Sequence, residues 1–360
     1  MTDESGDSEQ EPSAAPAGWY DNPDGWSAKR YWDGGQWTDD VQPDEAADSL
    51  IATTSVIAGF WRRSAAFILD SLILGVAGTV IGFALFEALA DIGAWGRLFG
   101  FMVSLAYFAS FDSSIGGGQT LCKRVLGVRV VNRSGECIHP GRAAFRYAVL
   151  AGPVYLNQLM LPTSWATGVG GVVLSTLIFG LGGAAAYLYV FNRRTRQSTH
   201  DLAAGTFVVN AASSGPVEGR ISRMHLIITA VWVAVVIAGS AWAGRAAMSK
   251  LPPGLFRAVQ AIEETGKTHT ATVFIGKMWG DEGETDYVNV SVVLKRNPGR
   301  SDAISQEIAT VVLREFPEAS DVDEVSVTVS RGFDIGIASG WRRNTVSKSP
   351  QEWADSTTAP

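Results

Sequence analysis

Asp70 stands inside an apolar stretch, and an acid in that position is built for ion chemistry or for pinning helices together. It lies in RRSAAFILDSLILGVAGTVIGFALF, residues 62–86, where Ser64 to Phe86 otherwise carries only apolar residues and small hydroxyls. An ionised aspartate in lipid costs about 2.5–3.5 kcal/mol on insertion scales, so it needs a partner, a proton or a wet cavity. The chain offers four further charges for such a cluster: Arg63, Asp112, Arg146 and Asp201. Arg63 and Asp70 share a helix face but sit about 10 Å apart along the axis, too far for a direct pair. Each is therefore expected to meet another helix or loop. Arg146 is a candidate for Asp70 or Asp112, and Asp201 for Arg63. A relay from Asp70 outward to Glu87 would span about 25 Å. The apolar runs supply a thin polar set for it: Ser104, Asn157, Gln158, Ser175 and Thr176.

The elements that must hold these charges are long apolar runs. Ser64–Phe86 exceeds the roughly 20 residues that a helix needs to cross hydrocarbon. Leu98–Phe111 follows, extended upstream by Ile92–Gly96. Ala143–Leu161 is weaker, and a helix lying in the interface is its alternative. Trp165–Phe191 and Met224–Ala243 complete the set. The net charge of -7 conceals an uneven distribution: thirteen acids and two bases in residues 1–50 give -11, which leaves +4 for the remainder. The bases cluster between apolar runs. Ser113–Arg146 holds six Lys or Arg against one acid, and Arg193–Arg223 holds five arginines against two acids. The positive-inside rule then places the N-terminus and both basic segments in the cytoplasm and predicts five crossings. It also places residues after about 245 outside.

Several chemistries are disfavoured. Two cysteines, Cys122 and Cys137, exclude a disulfide framework, and no Cys and His cluster has zinc spacing. IGGGQTLCKR has glycines before a lysine but lacks the spacing of a phosphate-binding loop. No metal, cofactor, nucleic acid or enzymatic activity is expected. The polar N-terminus lacks a cleavable signal, so the first membrane helix is expected to direct insertion.

Residues 1–15 are expected to be disordered. Residues 16–40 carry Trp19, Tyr20, Trp26, Tyr31, Trp32 and Trp37 among turn residues. Turns at Asn22–Gly25 and Asp33–Gly35 predict three short strands whose rings supply most of the burial. Such rings can also grip a proline-rich peptide. Residues 41–58 read as a linker, 59–210 as the membrane domain, 211–223 as a cytoplasmic linker and 224–244 as the fifth span. In the first basic loop, Val125–Val131 and Glu136–His139 predict a hairpin turning at Asn132–Gly135. Thr206–Val209 predicts a short strand. Asp201 also fits a turn or cap, and His200 a solvated surface site. Residues 250–342 alternate in the order α-β-β-α-β-β, with Phe333–Ala338 as a last strand. The acids Asp281, Glu282, Glu284 and Asp286 lack the calcium-loop arrangement. Residues 343–360 read as a disordered tail.

Two resemblances follow from these residues. GWY, RYWDG and QWT resemble a short tryptophan-rich module of unknown function common in actinobacterial membrane proteins, with Asp21 where that family usually has Pro. Residues 57–210 resemble the RDD family. GFWRRSAAFILD carries its arginine, Arg63, and its first aspartate, Asp70; GGQTLCKRVLGVRVV matches its cytoplasmic loop; Arg146 follows where a second arginine is usual; STHDLAAGTFVV carries Asp201. The family commonly has Gly where Cys122 stands.

The expected fold is thus an α-helical multi-pass bundle of five transmembrane helices in a bacterial inner membrane. It carries a small N-terminal β module and a C-terminal extracytoplasmic α+β domain. The resemblance implies a transport-related role for unidentified ligands, and some relatives look like sodium/proton antiporters, which would make Asp70 the carrier. The alternative is a non-transporting scaffold or sensor that joins two soluble ends, each a candidate for a protein partner. Small residues at Gly75/Thr79, Gly78/Gly82 and Gly180/Ala184 allow close helix approach within the bundle or between copies of the chain.

Overall fold

The apolar run after Gly59 folds as one helix, α1 (Phe60–Ala84), which takes both Arg62 and Arg63 into its first turn. The computed structural model describes residues 15–21, 28–43, 54–157, 168–280, 283–297, 299 and 301–358. After α1 come a short α2 (Phe86–Ile92) and α3 (Trp95–Phe111). Gly93, at φ 55°, turns the chain between them, and the two helices are bent by 114°. The extension upstream of Leu98 is therefore a corner, made by a glycine that accepts the left-handed region.

Helix α4 (Leu121–Val125) and strand β4 (Val128–Val131) form the first basic loop. The hairpin expected there does not form. β4 pairs antiparallel with β5 (Phe207–Asn210), and Ile138 makes only an isolated bridge to Ser113. β4 and β5 are both apolar, and pairing them buries Val128, Val130, Val131, Phe207, Val208 and Val209. A local hairpin would have given β4 the polar partner Glu136–His139 instead.

Helix α5 (Pro140–Leu156) packs along α3. Helix α6 (Val169–Phe191) follows, with a π-helical turn over Thr176–Leu181. Then come α7 (Thr199–Ala204) and the long α8 (Arg223–Lys250). Trp232 Nε1 on α8 donates to the Phe179 carbonyl in the π turn at 3.0 Å. Among the described residues, α1, α6 and α8 are long and apolar enough to cross a membrane, and α2 with α3 is a fourth if the bent pair counts as one span. Arg146 and Pro153 lower the apolar character of α5, which has 17 residues. Its expected C-terminal end, Gln158–Leu161, lies outside the described residues.

The N-terminal module pairs β1 (Gly18–Asp21), β2 (Ala28–Trp32) and β3 (Trp37–Pro43) in that order. Asp33 Oδ1 accepts from the Gly35 and Gln36 amides, both at 2.7 Å, and closes the second turn. Trp32 and Trp37 meet edge to face at 5.3 Å, as do Trp19 and Tyr31, and Tyr20 stands at 6.3 Å from Trp37. The first turn, Asn22–Gly25, and Trp26 lie outside the described residues.

The C-terminal domain runs α9 (Pro253–Glu264), β6 (Thr268–Gly280), β7 (Gly283–Leu294), α10 (Ser301–Glu315), β8 (Glu324–Asp334), β9 (Ser339–Lys348) and α11 (Pro350–Thr358). Its sheet has the order β6-β7-β8-β9. The β7–β8 pair is parallel, as a helical crossover through α10 requires, and the other pairs are antiparallel. Val288, Val290, Val292 and Leu294 face α9 and α10 with Ile262, Ile308 and Phe316. Two expectations are corrected here. The last strand is β9 rather than Phe333–Ala338. The tail from 343 onward is ordered through Thr358: Trp353 is 1% exposed and donates to the Val325 carbonyl at 2.9 Å. One large buried ring anchors a segment whose composition is otherwise polar. Asp281 and Glu282 lie outside the described residues, while Asp286 and Glu284 pair with Lys277.

Candidate functional site

Four of the five expected charges form one buried network. Arg63 stands in the first turn of α1, and its Nη2 donates to Asp201 Oδ2 at 2.9 Å; its Nη1 donates to the Arg196 carbonyl. Arg146, two turns into α5, donates from Nε and Nη2 to Asp201 Oδ1 at 2.9 and 2.8 Å, and from Nη1 to Asp112 Oδ2 at 2.9 Å. Asp112 caps the end of α3 and accepts a further bond from Lys123 Nζ. Arg146 thus joins two carboxylates carried by different elements, as the planar fork of a guanidinium allows and an ammonium does not. Thr206 completes the site by donating to Asp201 Oδ1 at 3.1 Å.

Asp70 does not join this network. It is fully buried, and three donors surround its carboxylate: Tyr107 Oη at 2.7 Å, the Thr120 hydroxyl, and the Cys122 amide at 3.2 Å. Three hydrogen-bond donors thus meet this carboxylate in place of a countercharge. Thr120 also caps α4 by accepting from the Lys123 amide at 3.3 Å. Asp70 therefore fastens the start of the loop helix to α1.

Lys123, Tyr107, Thr120, Thr206 and His200 escaped selection as site residues. Thr120 had a local signal, a hydroxyl immediately before a short helical run. Lys123 counted only as a topology charge. His200 is a correction: the expected solvated histidine is buried, because α7 packs its N-terminal turn against α5 and α6. Its Nε2 lies 3.5 Å from Asp201 Oδ2, and its Nδ1 has no partner among the described residues. Burial drives the His200 pKa down to about 3, against the pull of Asp201, so the ring is neutral near pH 7. Burial opposes the ionisation of Asp201, yet His200, Arg146 and Arg63 together hold its carboxyl well below the usual range. Burial likewise lowers Lys123, with Asp112 resisting.

A cavity of about 360 Å³ opens beside this network, between α1, α5 and α6. Its lining combines the polar Arg63, Lys123 and His200 with the apolar Phe67, Ile68 and Leu150.

Residues 57–205 match the RDD family. This stretch of the chain is similar to RDD membrane domains, and the match ends at Gly205, the C-cap of the helix that carries Asp201. Residues 17–49 match a protein family of unknown function, DUF2510, which covers the three-stranded aromatic module. No curated protein and no solved structure matches the chain. The matched RDD domain contains Arg63, Asp70, Asp112, Arg146 and Asp201 together with the cavity lining other than Val208, and the C-terminal domain lies beyond it.

That second domain meets the RDD domain at the end remote from the charge network. Arg331 Nη2 on β8 bonds Glu87 at 2.7 Å and Asp91 at 2.9 Å, and Arg97 pairs with Asp334. Glu87 is therefore engaged by the C-terminal domain and does not serve Asp70. The β8–β9 turn, Phe333–Ala338, enters between the helices. Phe333 fills the space over Gly82, and a Cβ at Gly78 would stand 2.8 Å from Ile337. A Cβ at Gly96 would stand 2.9 Å from the Asp334 carbonyl. At Gly100 a Cβ would overlap the Ile335 carbonyl, and Gly336 rests on the Tyr155 ring. The small residues of α1, expected to receive another helix or another copy of the chain, receive this turn instead.

Proposed function

We propose that the protein is a non-transporting membrane connector, which couples an extracytoplasmic domain to a charge network at the cytoplasmic face of a bacterial inner membrane. The observation that carries this reading is the seating of Phe333–Ala338 among Gly78, Gly82, Gly96 and Gly100. A domain wedged into the bundle at that depth moves with the helices it touches. Helix α5 supplies the link, because Tyr155 meets the turn at one end and Arg146 joins Asp112 and Asp201 at the other. A rigid element that touches both sites is a physical route for coupling.

Five crossings with the N-terminus inside suit this arrangement. Helices α1 and α5 each run from the charge network to the C-terminal domain, so α5 is read as a span despite its 17 residues, about 26 Å of helix. Exposed Trp61 and Trp95 lie near opposite ends of the bundle, where interfacial tryptophans belong. The basic loops fall at the charge-network end, on the cytoplasmic side by the positive-inside rule. The transport reading, with Asp70 as carrier, is less well supported, because three donors already occupy that carboxylate. The reading is of a coupling protein rather than an enzyme, with partners at the aromatic module or the outer domain.

Hydrogen exchange in the full-length chain tests the coupling. An Ile335→Asp substitution puts an acid into the wedge and is expected to raise exchange in Phe333–Ala338 and also in β4 and α7 at the far end. A rise confined to the wedge would contradict the proposal.

A further inference from the structure

We infer that the cavity beside the charge network binds one acyl chain bearing an anionic head, with the head at Arg63 and Lys123 and the chain directed toward the bilayer centre.

The polarity of the cavity matches that of an inner-leaflet lipid. Along α1 the lining passes from Arg63 to Phe67 and Ile68, about 7 Å of rise. Along α5 it passes from Arg146 to Leu150, about 6 Å. Both helices therefore change from charged to apolar in the same direction, away from the basic loops. The volume, about 360 Å³, suits a ligand pocket with apolar walls and a few convergent polar groups. It holds a portion of one chain rather than a whole phospholipid. The mouth is open at the surface of apolar helices: Ile68 is 56% exposed, and Phe67 and Ala186 are also exposed.

Charge favours an anion. Arg63, Lys123 and Arg146 oppose only Asp112 and Asp201 in this wall, which leaves one positive charge in excess. Asp70 is turned into Tyr107, Thr120 and the Cys122 amide and does not line the cavity. Donors remain as well. An ammonium has three protons, and Lys123 commits one to Asp112. A guanidinium has five, and Arg63 commits two. Basic pockets between membrane helices on the cytoplasmic side are general sites for acidic headgroups.

This inference does not depend on the connector reading. The test is the thermal stability of the purified full-length protein in neutral detergent with phosphatidylglycerol, phosphatidylcholine, oleate or inorganic phosphate added. Phosphatidylglycerol, oleate or both are expected to raise the unfolding temperature by several degrees, and phosphatidylcholine and inorganic phosphate to leave it unchanged. A shift with phosphatidylglycerol identifies a membrane lipid as the source, and a shift with oleate alone identifies a free fatty acid. Ala186→Phe and Ile68→Trp, both at the exposed mouth, fill the cavity without touching the charges. Each is expected to fold with the unaltered unfolding temperature and to lose the shift. Equal stabilisation by phosphatidylcholine or by inorganic phosphate, no shift with any anionic lipid, or a full shift in both filled variants would overturn the assignment.

Discussion

The carbonyl of Ile335 occupies the space that a side chain at Gly100 would need. The C-terminal domain therefore reaches the apolar helices through backbone, at a position where only glycine leaves room. Gly100→Leu is expected to expel the wedge. Overpacking of this kind costs about 1–3 kcal/mol where neighbours can shift, and here the neighbour is a backbone carbonyl. Limited proteolysis should then cut the Phe333–Ala338 turn readily, while the unaltered chain resists there.

Arg146 holds two buried carboxylates with one guanidinium. Removing one partner of a buried pair costs about 3–5 kcal/mol, because a charge is left uncompensated. Arg146→Gln strands part of Asp112 and part of Asp201, so a loss of this size in detergent unfolding is expected. Arg146→Lys keeps the charge but cannot reach both acids with parallel bonds, and it should fall between the two.

Acid should weaken the charge network through His200. Its folded pKa, about 3, lies below the unfolded value near 6.5. The unfolded chain therefore binds the extra proton between these limits. The stabilisation is complete above about pH 6.5 and is lost progressively as pH falls toward 3. At pH 5 the loss amounts to about 2 kcal/mol. Asp201 acts in the same direction at lower pH: its depressed pKa means that its stabilisation is present above the unfolded carboxylate value and declines as pH falls below it. Unfolding temperatures at pH 7.5, 6 and 5 check this, and His200→Gln should flatten the trend over that range.

Trp353 closes the C-terminal domain from a segment whose composition reads as a tail. Trp353→Ala is expected to cost about 3–5 kcal/mol, through a cavity and an unpaired Val325 carbonyl. Denaturant unfolding of the full chain, followed by exchange in β8, should report it.

The charge network was largely legible in the sequence, because buried charges in apolar runs are few and must find each other. Arg63, Asp112, Arg146 and Asp201 were all marked by this argument. The place of Asp70 was not, because hydroxyl donors such as Tyr107 and Thr120 carry no signal at a distance. The β4–β5 pairing was hidden for a related reason: adjacent segments suggest a hairpin, and only burial of two apolar strands decides against it. Phe333–Ala338 read as a strand because its apolar residues alternate, but their purpose is to enter the bundle. The matching glycines on α1 and α3 fit that purpose as well as they fit helix packing, and spacing alone does not separate the two.

Ion flux in reconstituted liposomes, measured under imposed proton and sodium gradients, tests the connector account most directly. The account expects flux no higher than in empty liposomes, both for the unaltered protein and for Asp70→Asn, which keeps one acceptor oxygen for Tyr107 and the Cys122 amide and turns an amide group toward the Thr120 hydroxyl. Flux above that level that disappears in Asp70→Asn, with the variant still folded, would make Asp70 a carrier and contradict the account.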